Sequence, residues 1–318
     1  MKQNPGVELV AVVDCSAEQL AKAEELGVPR DACMTDLDEA LGQIDADFVL
    51  DITPPAVHHI IAAKAFERGL HVLGEKPLSD NFDNALAALQ KGRDAGVKHM
   101  ITQNYRFGAP PRRAHRLLKE GIIGAPEQCD MRFYMNWADL PETHYVTQPY
   151  MLINDMMVHH FDLMRYVLDA NPTTVQAITW NQSWGWHAGD AAHAIVFEFK
   201  GGLHATHVSC GCAVGSMTPW NGDWRIEGAS GSLDWVGDRI YHNHRHKTDT
   251  PVENKEIEIP EVPPPDQAIL DEFVAAIRED REPECSAADN IHSMAMVFGA
   301  IRSAEEGRRV EIAELLDA

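Results

Sequence analysis

Positive charge is scarce in this chain: 27 lysines and arginines stand against 49 aspartates and glutamates, a formal net charge of -22 over 318 residues. A surface of that sign repels phosphate backbones and anionic headgroups, which argues against nucleic acid and membrane partners. Long apolar runs are missing too. None approaches the ~20 residues needed to cross a bilayer, and the opening residues carry no basic, apolar signal sequence. The six cysteines (Cys15, Cys33, Cys129, Cys210, Cys212, Cys285) include no Cys-x-x-Cys pair, so the expectation is free thiols and a cytoplasmic location. The most specific absence is a loop. No Gly-x-Gly-x-x-Gly, whose backbone N–H groups cradle a pyrophosphate, occurs anywhere in the chain.

What is present reads as alternating β and α units. Val7, Leu9, Val10, Val12 and Val13 form a buried-type strand that Asp14 closes. "AEQLAKAEELG" has helical spacing and stops at Gly27. A short strand "ACM", a short helix "LDEALGQI", the strand "ADFVLDIT" and the helix "AVHHIIAAKAFERG" follow. "HVLGEKP" is the next strand with its exit loop, then come the helix "NFDNALAALQKGRDAG" and the strand "KHMITQNYRF". Short links between such units mean a parallel sheet with helices on both faces and right-handed crossovers.

Beyond residue 105 the pattern changes. The helix "RRAHRLLKEG" leads to the alternating "EQCDMRFYMNW", and a helix is expected over 151–168. "TTVQAITWNQ", "AAHAIVFEF" and "GLHATHVSC" are strand-like, with Lys200-Gly201-Gly202 as a hairpin turn, and "WRIEGASGSLDWVG" is a further hairpin. After "EVPPPD" two helices run to the end. The expected fold class is α/β: a doubly wound parallel sheet of the Rossmann type over 1–105, then an α+β domain over 106–265 with a large open, mostly antiparallel sheet. The C-terminal helices of 266–318 are expected to pack back on the body.

In a Rossmann sheet of strand order 3-2-1-4-5-6, an acid at the end of the second strand binds the adenosine ribose hydroxyls, and Asp14 stands at such an end. The first strand and its glycine loop have no counterpart, and "MKQNPG" reads as the tail of the helix that would follow them. Their loss leaves two neighbouring strands without a common partner, each unpaired backbone group costing up to ~1–3 kcal/mol if buried. An N-terminally truncated chain is the favoured expectation, a chain that evolved without the loop the other.

Two constellations carry chemistry. "GEKPLSD" (74–80) follows a strand at the carboxyl edge of the sheet, where open α/β folds bind ligands. Lys76 there, flanked by Glu75 and Pro77, is placed for proton transfer, although a lone lysine in such a loop is more often simply solvated. In "NDMMVHHFDLMRY", Asp155, His159, Asp162 and Tyr166 recur on one helical stripe. Asp155 and His159, one turn apart, read either as a proton relay or as a capped, salt-bridged helix.

Together "TPPAVHHIIAAKAFERGLHVLGEKPLSD", "QNYRF", the Asp-x-x-x-His helix and the closing "FVAAIREDREPECSAADNIHSMAMVFGAIRSAEEGRRVEI" resemble the glucose–fructose oxidoreductase/inositol dehydrogenase (Gfo/Idh/MocA) family over essentially the whole chain. The resemblance implies NAD(P)-dependent hydride transfer between a sugar or polyol hydroxyl carbon and nicotinamide. It implies catalytic roles for Lys76, Asp155 and His159, with the base left open between Lys76 and His159. Cofactor contacts would come from Asp14, Thr53, Pro54, His58, Glu75, Lys76 and Arg106. Substrate contacts would come from Lys76, Tyr105, Asp155 and His159, with Trp137 and Trp220 as sugar-stacking aromatics. Asp14 repels a 2′-phosphate, which favours NAD over NADP. A homodimer or homotetramer through the second sheet is implied as well. Two departures stand out: the absent glycine loop, and "PYMLIN" where the family carries Gly-Gly before the aspartate. The alternatives are an NAD-dependent glycosidase or epimerase with transient internal redox, or a cofactor-deficient ligand-binding relative.

Other signals weigh less. His242, His244 and His246 share one face of a strand but lie in a polar stretch, a compositional hint of metal and no more. Cys210 and Cys212 read as strand packing, and most of the seven tryptophans read as sheet packing.

Overall fold

The computed structural model describes residues 4–137, 144–244 and 251–317. The chain forms two compact units that interleave in sequence, Met1–Thr102 with Asp266–Ile291, and Gln103–Pro265 with His292–Ala318.

The first unit is built from β1 (Val12–Val13), α1 (Ala17–Glu25), β2 (Cys33–Met34), α2 (Leu37–Gln43), β3 (Phe48–Asp51), α3 (Pro55–Phe66), β4 (His71–Gly74), α4 (Phe82–Ala95) and β5 (His99–Ile101). Local chemistry sets these boundaries. Asn81 caps α4 by accepting from the Asn84 N–H, and Gly96 ends it in the left-handed region at φ 67°, which an L side chain adopts only at a cost. Asp36 and Ser16 cap α2 and α1 in the same way.

Its parallel sheet comes in two pieces, β1 with β2 and β3-β4-β5 in that order. Among the described residues no ladder joins β1 to β3. Both keep a single strand partner, and their side chains are half-buried outside Asp51. The opening strand expected from Val7 contracts to Val12–Val13, because only these residues find a partner, in Cys33 and Met34. At the other end of the sheet the β5 edge is covered: Ile101 N–H donates to Cys285 C=O at 2.9 Å, and Met100 bridges Ser286.

The second unit contributes α5 (Ala109–Lys119), β6 (Pro126–Tyr134), α6 (Met151–Asp155), α7 (Met157–Leu168), β7 (Pro172–Trp180), β8 (Ala192–Phe199) and β9 (His204–Cys210). β10 (Asp223–Gly228), β11 (Gly231–Val236), β12 (Arg239–His244) and β13 (Glu253–Ile257) follow. The chain closes with α8 (Pro265–Arg278), α9 (Ala287–Glu306), β14 (Val310–Glu311) and α10 (Ala313–Leu316). Nine strands form one sheet in the order β13-β12-β11-β10-β6-β9-β8-β7-β14. Only β6 and β9 pair in parallel; every other ladder is antiparallel. Alternation drives one face inward, with Cys129, Met131 and Phe133 of β6 and Ala205 and His207 of β9 buried. α7 covers that face, Phe161 meeting Phe197 edge-on at 4.9 Å.

Three expectations need correction. The strand "KHMITQNYRF" ends at Ile101, and Asn104–Phe107 is a 3-10 turn with Arg106 and Phe107 buried. The single helix over 151–168 breaks at Met156, whose carbonyl accepts from both His159 and His160 N–H at 3.0 and 3.3 Å. The C-terminal helices do not act as one block. α8 belongs to the first unit, where Phe273 packs edge-on against Phe48 at 5.3 Å, while residues 292–306 of α9 belong to the second.

Candidate active site

In the first unit the expected residues gather at the carboxyl ends of the parallel strands. Asp14 leaves β1 half-exposed, its Oδ1 accepting from Ser16 N–H at 2.7 Å. At the end of β3, buried Asp51 accepts from both the N–H and the hydroxyl of Thr53, at 3.0 and 2.6 Å, an aspartate turn that fixes the exit loop. The Asp51 carbonyl also accepts from Glu75 N–H at 2.8 Å, coupling that loop to the β4 exit. Lys76 follows, half-buried, its N–H donating to Glu75 Oε2 at 3.2 Å. Pro54 caps α3 and stands exposed.

His58 has a different place from the one expected. Its buried imidazole spans the two exit loops, Nδ1 2.8 Å from Pro77 O and Nε2 2.7 Å from Thr53 O. Both partners are backbone carbonyls, one on each exit loop. The ring straps the loops together, and its polar atoms face backbone rather than a ligand.

The second unit holds the remaining residues. Tyr105 stacks on His159 with ring centroids 4.5 Å apart and 13° between planes. Burial, reinforced by the Asp155 and Asp238 carboxylates, pushes the Tyr105 phenol well above its ordinary range. It therefore stays a hydrogen-bond donor at neutral pH. Asp155 is half-buried at the end of α6 and His159 is buried in the first turn of α7. From His159 a run of ring contacts leads through Tyr105 to His160 (6.1 Å), on to Phe133 (4.7 Å), and so to Trp137 and Trp220, which stack on each other at 6.2 Å.

Arg106, expected at the cofactor, is a correction. Its guanidinium is buried and forms a two-point pair with Asp162, at 2.5 Å from Nε and 2.6 Å from Nη2. Asp162 also accepts from Ser293 Oγ at 2.8 Å, and Arg165 donates to the same hydroxyl at 2.7 Å. Sequence spacing put Asp162 on the stripe with His159, but nothing in the spacing revealed that its partner came from the 3-10 turn. Removing the carboxylate would strand buried positive charge. Asp162→Ala is accordingly expected to cost about 3–5 kcal/mol in urea unfolding, with Asp162→Asn costing less. A loss below ~1 kcal/mol would show that the network is not what holds α7 to the 3-10 turn.

Of the histidine tract, His246 lies outside the described residues. His242 and His244 have ring centroids 6.2 Å apart, and His244 Nδ1 bonds Ser230 O at 2.6 Å.

The geometry fits a nicotinamide dinucleotide in part. Asp14 suits a ribose, and Thr53, Glu75 and Lys76 end neighbouring parallel strands on the edge where such ligands bind. Thr102 Oγ1, just past β5, is buried with no hydrogen-bond partner, a polar atom suited to a ligand. No glycine-rich loop joins a strand to a helix among the described residues, so the pyrophosphate finds no backbone cradle there.

Comparison with known proteins places the chain in a class. Residues 1–103 match the sequence profile described as an oxidoreductase family with an NAD-binding Rossmann fold, and residues 112–234 match the GFO/IDH/MocA C-terminal domain. The protein is an oxidoreductase with an NAD-binding Rossmann domain. It belongs to the Gfo/Idh/MocA family. D-apiose dehydrogenase of Paraburkholderia graminis is 26% identical over 98% of this chain and 84% of its own. The scyllo-inositol 2-dehydrogenase (NAD(+)) of Bacillus subtilis is 29% identical over 76% of this chain and 69% of its own. An oxidoreductase from Agrobacterium radiobacter, solved with NAD+, L-tartaric acid and magnesium, shares the fold with a TM-score of 0.88 at 19% identity, covering 99% and 94% of the two chains.

Proposed function

We propose that this protein oxidises a hydroxyl-bearing carbon of a sugar or polyol, with NAD as hydride acceptor. The observation that carries the reading is the alignment of Asp14, Thr53 and Lys76 at the carboxyl ends of parallel strands inside an NAD-binding family domain. The curated relatives support the substrate class, since their names specify apiose and inositol.

When bound, NAD supplies the electron-poor nicotinamide carbon that takes the hydride. Asp14 holds the adenosine ribose hydroxyls and disfavours a 2′-phosphate by charge. Thr53, Pro54 and Glu75 shape the nicotinamide end, and His58 keeps their two loops in register. Lys76 or His159 takes the substrate hydroxyl proton, and Asp155, one helical turn before His159, balances the charge of the imidazole when that is the base. The Tyr105 phenol donates to a substrate oxygen. Trp137 and Trp220 offer an indole face to the C–H side of the ring. Arg106, tied to Asp162, serves by fixing the turn that carries Tyr105.

The test is a fluorescence titration with NADH and NADPH, followed by a panel of sugars and polyols with NAD+ in which NADH release is read by absorbance. The expected result is saturable NADH binding, weaker NADPH binding and NADH release with at least one panel member. No binding of either nucleotide would sink the reading, and tightly held cofactor without net NADH release would favour internal redox.

The reading includes assembly as a homodimer or homotetramer through the outer sheet face. Ile178 and Val196, on neighbouring strands of that face, are 64% and 43% exposed, an apolar exposure that a partner would cover. Light scattering is expected to give a dimeric or tetrameric mass, and a monomer at micromolar concentration would reject this part.

A further inference from the structure

The second unit contains a row of three buried histidines that the proposed chemistry does not use. His193 of β8, His207 of β9 and His160 of α7 are all fully buried or nearly so. His193 Nε2 lies 2.9 Å from His207 Nδ1, His207 Nε2 lies 3.1 Å from His160 Nδ1, and His160 Nε2 lies 2.8 Å from the Trp220 carbonyl oxygen.

The last contact sets the direction of the whole row. A carbonyl only accepts, so His160 carries its hydrogen on Nε2 and accepts at Nδ1. His207 must then donate from Nε2 and accept at Nδ1, and His193 must donate from Nε2. Burial keeps the rings neutral, holding His160 down to about 4, His193 down to about 3 and His207 well below its ordinary value. A row that ends on a backbone carbonyl has no group to pass a proton to. It cannot relay protons, but it can hold a backbone in place.

What it holds is Trp220, in the segment that joins β9 to β10. The side chain is 50% exposed and stacks on Trp137 at 6.2 Å and 24°. Phe133 sits under both indoles, with centroids 6.4 and 6.3 Å away, and meets His160 edge-on at 4.7 Å. The same histidine therefore grips the Trp220 backbone and supports the ring beneath the pair.

We propose that His193, His207 and His160 are positioning residues for a ring-stacking subsite, tethering Trp220 so that it and Trp137 present one preset aromatic face to the C–H side of a cyclic sugar or polyol. This rests on the substrate class proposed above. Aromatic faces stack on apolar ring faces in a fixed geometry, and a face ordered beforehand spares the ligand the ordering of two mobile indoles.

The experiment labels the protein with 5-fluorotryptophan and compares the fluorine spectra of the parent, His207→Phe and His160→Gln. Trp137→Phe and Trp220→Phe assign the two signals. His207→Phe cuts both inner bonds at similar volume, whereas in His160→Gln the amide nitrogen can still donate to Trp220. The expected result is that His207→Phe shifts or broadens Trp137 and Trp220 while core Trp224 and Trp235 stay unchanged, and that His160→Gln largely keeps the parental signals. For the panel member the parent turns over fastest, His207→Phe should raise KM about three- to tenfold with kcat held, the signature of lost uniform binding. If His207→Phe does not fold, His160→Leu, which removes the His207–His160 and His160–Trp220 bonds and leaves His193–His207, is read in its place.

Unchanged Trp137 and Trp220 signals in a folded variant would overturn the tether. Altered signals with an unchanged KM would overturn the subsite. Failure of the broader reading looks different: the parent then turns over no panel member, which removes the subsite's ligand, while the fluorine spectra still decide the tether.

Discussion

Lys76→Ala is expected to lower kcat by about 10²–10⁴-fold, the usual contribution of a placed proton-transfer group, while NADH affinity changes little. Its loop is held by groups other than the lysine side chain: Glu75 N–H on Asp51 O, Thr53 on the Asp51 carboxylate, and His58 between Pro77 and Thr53. Truncating the side chain therefore removes the amine and leaves these loop contacts in place. Lys76→Arg should not restore turnover, because a guanidinium does not give up its proton. His159→Gln gives the comparison that identifies the base. The larger loss of kcat marks the group that takes the proton. If the two share it, the double variant will be little worse than the worse single one, as for groups that act as a unit. A Lys76→Ala enzyme within threefold of the parent would remove the lysine from the chemistry altogether.

The parts of this fold that were legible in the sequence are those where neighbouring residues decide the outcome. Asn81 and Gly96 bracket α4, Lys200-Gly201-Gly202 turns the β8–β9 hairpin, and alternation in "AAHAIVFEF" marks a strand with one face buried. Asp14 and Lys76 were legible because a residue closing a parallel strand stands at the ligand edge wherever its neighbours lie. Other features depend on distant partners. Whether Val7 to Val13 is a strand depends on what pairs with it, and only Val12 and Val13 find partners. Arg106 reads as a cofactor arginine until the buried Asp162, 56 positions away, takes two of its donors. His193 and His207 carry no signal on their strands, since a buried histidine at an inward position looks like ordinary core. Only the β8–β9 ladder, with His207 opposite Ile195, and the fall of α7 across it bring the three imidazoles into line.

Lowering the pH from 7 to 5 is expected to unfold the second unit well before carboxylate protonation would. The sign follows from where the protons bind. In the folded unit burial holds His160 at about 4 and His193 at about 3, with His207 shifted the same way, whereas the unfolded chain titrates near its ordinary value. Between those limits the unfolded state binds more protons, so stability is fully present above about pH 6.5 and is lost as the pH falls toward the folded values. By linkage, an imidazole shifted from about 6.5 to about 4 gives up about 2 kcal/mol at pH 5. His160 and His193 together then approach the lower end of the ~5–15 kcal/mol that a domain has in hand, and His207 adds in the same direction. Protonation also destroys the acceptor at His160 Nδ1, so the row breaks at the ring that grips Trp220. In the first unit burial lowers His99 to about 4 and pulls the half-buried His71 down as well, a smaller set than the row of the second unit, and the first unit should tolerate acid better. The two are separable in one experiment, because all seven tryptophans lie in the second unit. Urea unfolding followed by tryptophan fluorescence reads that unit, and far-UV circular dichroism reads both. Between pH 5 and 6.5 the tryptophan-detected stability should fall by more than one proton's worth, about 1.4 kcal/mol, per pH unit. His193→Gln, which cannot titrate, should flatten that slope by about one proton. A slope that His193→Gln leaves unchanged would mean that these imidazoles are solvated in the folded protein, and the neutral row with its fixed direction would fall with it.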